Sequence, residues 1–173
     1  MPPRMPEEHG VPDPMPYMHP VLKKNFGAWK YHERPRPGVL CHTAKSGDKV
    51  WTVRAGTPRQ MDLHTIRKLC DIGDQFAESH IRFTMRSNIE YMVSEESKVQ
   101  PLVDKLTSEG FPVGGTGPSV SMIAHTQGWL HCDIPGTDAS GVVKAVMDGL
   151  NRLRDQETIE SLRGVEIEAV KRW

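Results

Sequence analysis

Residues 81–93 read IRFTMRSNIEYMV, and this stretch decides the fold. Two alternating runs, 81–86 and 89–93, meet at Ser87-Asn88, so the sequence predicts a pair of strands joined by a tight turn. Side chains i, i+2 and i+4 of a strand share a face. Arg82, Thr84 and Arg86 are therefore expected on one side. Ile81, Phe83 and Met85 fall on the other, where they are expected to supply a core.

The pattern extends outward in both directions. GVLCHTAK (38–45) and KVWTVRAG (49–56) are strand-like and flank Ser46-Gly47-Asp48, a hairpin signal. A helix is predicted from Asp62, whose carboxylate can cap it, with Leu63, Ile66, Leu69, Cys70, Gly73 and Phe76 at roughly helical spacing. A second helix carries Val99, Leu102, Val103 and Leu106. Ser94 or Ser97 is a candidate cap, Pro101 argues for a late start, and Gly110 closes it. FPV (111–113) reads as a short strand. From residue 49 the order is strand, helix, strand, strand, helix, strand. That is the ferredoxin-like α+β pattern, an antiparallel sheet with both helices on one face.

Four segments follow. Residues 1–37 are read as a proline-rich extended arm, since proline removes donors and blocks helix. Residues 38–113 form the ferredoxin-like half-domain. Residues 114–155 open a further domain: the glycine-rich Gly114-Gly115-Thr116-Gly117, strand-like pieces at SVSMIAH and GWLHCDI, and a helix starting at Thr137 or Asp138. Val142, Val143, Val146, Met147, Leu150 and Leu153 stripe that helix. Residues 156–173 are a charged tail in which no chemistry is legible. No internal repeat is found.

Lys plus Arg and Asp plus Glu are both 22, so no global basic field gathers nucleic acid or an anionic membrane surface. No apolar run approaches the ~18 residues of a membrane span, and the N-terminus has no apolar signal core. Three cysteines, Cys41, Cys70 and Cys132, are odd in number and far apart, which fits a reducing cytoplasm better than a disulfide framework.

Three features exceed a plain structural domain. Arg54, Arg82 and Arg86, with Thr84, would give one sheet face a set of planar bidentate donors suited to carboxylates or oxyanions. The competing reading is a solvated face whose arginines pair with nearby Glu side chains. The glycine loop could let backbone amides approach an anion, although such loops are more often turns. His125, Thr126, Gln127, Trp129, His131, Cys132 and Asp133 form a polar cluster. No paired CxxC or HxxxH accompanies them, so no metal site is assigned. No Ser/His/Asp triad, phosphate loop or dinucleotide fingerprint is present.

KNFGAWKYHERPRPGVL, SGDKVWTVRAG, HTIRKLCDI, RFTMRSNIEYMV and FPVGGTGPSVSMIAHTQGWLHCDIPGTDASGVVKAVMD, in that order, resemble the N-terminal half of the beta subunit of dissimilatory sulfite reductases over about residues 16–150. RPRPGVL and WTVRAGTPRQMD look closer to the oxidative, reverse-acting branch. The resemblance implies a ferredoxin-like half-domain followed by the start of a sirohaem-binding α/β domain. It also implies an alpha-subunit partner in a heterotetramer, and conversion of sulfite to sulfide or the reverse. Sirohaem is a polycarboxylate, so the resemblance implies contacts from Arg54, Arg82, Thr84, Arg86 and Asn88, and from Thr116, Gly117, Gln127 and Gly128. Ser121 stands where many sirohaem reductases carry a substrate-binding Arg. The family's [4Fe–4S] cluster needs four Cys ligands, and no cysteine motif follows the Asp138 helix. The expectation is a truncated or split subunit, inactive alone, that shares a sirohaem pocket with its partner. The alternative is a non-enzymatic ferredoxin-like binding or dimerisation module.

Overall fold

The computed structural model describes residues 13–58, 60–116, 126 and 136–151. They fall into two units, divided between Met122 and Ile123. The first unit is built on a five-stranded sheet: β1 (Trp29–Arg36), β2 (Val39–Ala44), β3 (Lys49–Ala55), β4 (Ile81–Phe83) and β5 (Ile89–Val93). Their spatial order is β1-β2-β3-β5-β4, with every pair antiparallel. Helices α1 (Pro20–Lys24), α2 (Leu63–Phe76) and α3 (Val99–Ser108) complete it.

The predicted turn at Ser46-Gly47-Asp48 sets the register of β2 on β3, with Leu40 opposite Thr52 and His42 opposite Val50. Odd-numbered residues then face the helices. Val39, Cys41, Trp51, Val53, Ala55, Ile89, Tyr91 and Val93 pack there with Leu69, Ile72, Val99, Leu102 and Leu106 in one buried cluster. Asp62 caps α2, its Oδ1 accepting from the Thr65 amide at 2.6 Å. The buried Tyr91 hydroxyl donates to the Leu69 carbonyl at 3.0 Å, tying α2 to β5. Antiparallel sheet, helices and shared core make this an α+β ferredoxin-like half-domain.

Several expectations are corrected. Regular structure does not begin at Gly38, because Trp29–Arg36, assigned to the arm, is an edge strand paired with β2. All but its two end residues are exposed, so no apolar alternation announced it. Pro35 sits beside a register irregularity, as edge strands allow. The strand expected over 81–86 stops at Phe83. The Thr84 amide donates to the Asn88 carbonyl and the Ser87 amide to the Thr84 carbonyl, so Arg86 lies in a turn. Phe83 and Met85 are exposed rather than core; only Ile81 packs inward. On α2 the buried residues are Leu69, Ile72 and Gly73, while Leu63, Ile66 and Cys70 are exposed. Helix α3 follows a 3-10 turn at Glu96–Lys98 and has no side-chain cap. The FPV strand is reduced to one bridge, Val113 to Ala55, because β2 already occupies that edge of β3.

Gly38 makes this crossing possible. It has φ +80°, and a Cβ there would stand 2.6 Å from both the Gly114 nitrogen and Val113 Cγ1. A second knot surrounds Glu78, itself in the left-handed region at φ 53°. Its carboxylate accepts from His19 Nε2, the Ser94 amide and hydroxyl, and Lys98 Nζ. It therefore ties the chain before α1 to the ends of α2 and β5. In the second unit, α4 (Ala139–Asn151) begins with the Val142 amide donating to the Asp138 carbonyl.

Gly38→Ala is expected to destabilise by about 2–4 kcal/mol, combining left-handed strain with overlap. Gly47→Ala, also left-handed at φ +90° but with nothing within 4 Å of its Cβ, should cost only about 1–2 kcal/mol. Equal denaturation midpoints for the two variants would contradict the close approach. Burial raises the Glu78 carboxyl, but its donors outweigh burial and bring it from 4.5 down to about 2. A depressed carboxyl stabilises the fold above its unfolded value, and that stability is lost as pH falls through the folded value. Wild type should thus lose its advantage over Glu78→Gln between pH 4.5 and about 2; a constant gap in urea midpoint across that window would refute the network.

Candidate functional site

The face of the sheet away from the core cluster carries the even-numbered side chains. On one cross-strand row, Arg54 of β3 lies opposite Glu90 of β5, and Arg82 of β4 lies opposite the same Glu90. Glu90 is fully buried. It accepts from Arg54 Nε at 2.7 Å and forms ion pairs with both guanidiniums. The Arg54 side chain is largely buried, whereas Arg82 is 55% exposed. Two cations on the strands flanking β5 are held together by the carboxylate between them.

Arg54 has donors to spare. Its Nη1 donates to the Gly115 carbonyl at 2.6 Å, and Arg86 Nη2 donates to the same oxygen at 2.8 Å. Thr116 follows, and its hydroxyl accepts from the Gly38 amide at 2.9 Å. Beside these groups opens a cavity of about 300 Å³ lined by His32, Arg34, Leu40, His42, Arg54, Arg86 and Thr116. Among the described residues no carboxylate pairs with Arg34 or Arg86. Burial, the His32 ring and Arg82 hold the half-buried His42 imidazole below its ordinary range, against a smaller opposite pull from Glu90. The result is a cationic cavity able to take a carboxylate or an oxyanion through bidentate guanidinium contacts.

Of the residues singled out in the sequence, Arg54, Arg86 and Thr116 line this cavity together. Arg82 shares the row but is engaged by Glu90 and does not line it. Thr84 closes the turn, its hydroxyl accepting from the Asn88 amide at 3.1 Å. Asn88 lines a smaller pocket of about 120 Å³ with Gly56 and residues 112–115. Gly117, Gln127 and Gly128, like Ser121 and the cluster around His131, lie outside the described residues apart from Thr126. His32, Arg34 and His42 were not singled out. A signal existed for His42, because the hairpin register puts it on the face of Arg54. None existed for His32 and Arg34, whose strand has no apolar alternation.

Cys41 is buried in the core, where burial raises its thiol, and Cys70 is exposed on α2. Among the described residues no three His, Cys, Asp or Glu side chains are grouped to hold a metal, and no helix is long and apolar enough to cross a membrane.

A family model described as the nitrite/sulfite reductase ferredoxin-like half domain matches residues 42–109. The chain is also similar to dissimilatory-type sulfite reductase beta subunits. It is 52% identical to that of Nitratidesulfovibrio vulgaris over 139 residues, which cover 76% of this chain and 36% of the relative. For Archaeoglobus fulgidus the figures are 49% over 140 residues, 77% and 38%, and for Megalodesulfovibrio gigas 48% over 160 residues, 86% and 61%. The chain thus spans between 36% and 61% of the length of these relatives.

Removing Glu90 leaves Arg54 buried without its counter-charge, so Glu90→Ala should destabilise by about 3–5 kcal/mol. Arg82→Ala removes a half-exposed partner and should cost about 1 kcal/mol or less. Denaturant titration distinguishes them; similar losses would mean that Glu90 does not bridge the two arginines.

Proposed function

Over the segment shared with them, the chain belongs with the beta subunits of dissimilatory-type sulfite reductases, and from that premise we propose that it supplies part of a sirohaem site at an interface with an alpha subunit. The reaction of such an assembly is sulfite to sulfide, or the reverse. The observation that carries the reading is the unneutralised cavity, in which Arg86 and Arg34 have no carboxylate partner among the described residues while Arg54 keeps a donor directed toward the loop.

The donor set fits the carboxylate rim of sirohaem. About 300 Å³ is the lower bound of small-ligand pockets, too little for a whole macrocycle, so the cavity takes its acidic arms. Arg54, Arg86 and Thr116 are the proposed contacts, with Gly117, Gln127 and Gly128 added on the resemblance alone. Arg82, Thr84 and Asn88 hold the strand and turn that present Arg86. Sirohaem, when bound, supplies the redox chemistry; these residues bind and orient its acidic edge and neutralise its charge. Three cysteines cannot provide four thiolates, so no cluster is assigned to this chain. A cytoplasmic location follows from the same reading. Loss of the cofactor, leaving a binding or dimerisation module, is the alternative, and the pairing of Arg54 and Arg82 with Glu90 is the observation that favours it.

The test is co-production with a dissimilatory-type alpha subunit and measurement of sirohaem absorbance per complex. Arg86→Ala removes a charge-assisted contact of about 1.5–3 kcal/mol and should weaken retention roughly tenfold to a hundredfold. Arg82→Ala should retain the haem. Full retention in Arg86→Ala would reject the proposed contact.

A further inference from the structure

The hairpin of β1 and β2 supplies half of the cavity wall, and the residues it brings are chemically distinct from the arginines. His32 and Arg34 project from the same face of β1, and His32 is paired in register with His42 of β2. The two imidazole centroids are 6.0 Å apart, and Trp29 lies edge-on to His42 at 6.3 Å.

We infer that this hairpin makes the cavity a proton-coupled anion site, in which His42 takes up a proton from solvent as a carboxylate or oxyanion enters. The groups facing His42 are His32 and Arg34 from β1, Arg54 from β3, Arg86 from the β4–β5 turn, and, on the rows beyond, Arg82 and Glu90. All but Glu90 are cations or imidazoles, and Glu90 is already engaged by two guanidiniums. An unoccupied cavity therefore disfavours a further positive charge on His42. An entering anion reverses that balance, because an opposite charge a few ångströms away stabilises imidazolium. Linkage fixes the sign: the anion binds more tightly at the pH where His42 is protonated, so affinity rises as pH falls. No bond is made or broken. Arg54 and Arg86 are shared with the sirohaem reading, but the proton coupling of His42 does not require sirohaem. The same chemistry serves an acidic arm of a large ligand or a free tetrahedral oxyanion.

The experiment follows histidine ring signals of the full chain by NMR during titration with succinate and, separately, with sulfate, from about pH 8 to about pH 6 at constant ionic strength. A saturable shift of the His42 ring is expected. An anion that raises the His42 pKa by about one binds up to about tenfold tighter once the pH lies below both its free and bound values, and by a smaller factor at about pH 6. His42→Gln should abolish this pH dependence. Arg34→Gln and Arg86→Gln should weaken binding at every pH, with the remaining ring signals reporting that each variant is folded. Preference for succinate identifies a carboxylate arm as the occupant and preference for sulfate a free oxyanion; either supports the site. No saturable shift with either probe, or pH dependence that survives His42→Gln, overturns it. If Arg86→Ala abolishes haem retention while neither probe binds, only this inference fails; if both probes bind while haem retention is unchanged, only the sirohaem reading fails.

Discussion

One buried carboxylate organises the cationic face of this sheet. Glu90 lies between Arg54 and Arg82 on a single cross-strand row and pairs with both. Without it, the guanidiniums on either side of β5 would repel, and Arg54 would be a buried charge without compensation. With it, Arg54 is fixed, and its remaining donor reaches the Gly115 carbonyl, where Arg86 also arrives. That meeting point holds the glycine loop over Gly38, whose amide Thr116 accepts. The shape of the cavity descends from one ion triad.

The sequence made legible those elements whose physics is local. The hairpin at Ser46-Gly47-Asp48, the Asp62 cap and the two amphipathic helices all announce themselves within a few residues. What it hid depends on distant partners. Trp29–Arg36 is a strand only because β2 lies beside it, and with both faces exposed it carries no period-two signature. Alternation carried through to Arg86 puts Phe83 and Met85 in the core, whereas the backbone bonds of Thr84 and Ser87 turn the chain first.

The candidate site was half legible for the same reason. Arg54, Arg86 and Thr116 meet at the cavity, but the competing reading, arginines spent on a neighbouring Glu, describes Arg54 and Arg82. A Glu within the otherwise apolar IEYMV, opposite two arginines, was the available clue. His32 and Arg34 could not be placed before β1 was known to be a strand. The family relationship rests on sequence shared with relatives far longer than this chain. What the chain itself shows is a cavity lined by Arg34, Arg54 and Arg86 together with His32 and His42.

The most direct measurement is an experimental structure of this chain assembled with an alpha subunit and sirohaem. The account predicts tetrapyrrole carboxylates within salt-bridge distance of Arg86 and Arg54, in the cavity beside His42. Carboxylates held elsewhere, with that cavity facing only water, would contradict it.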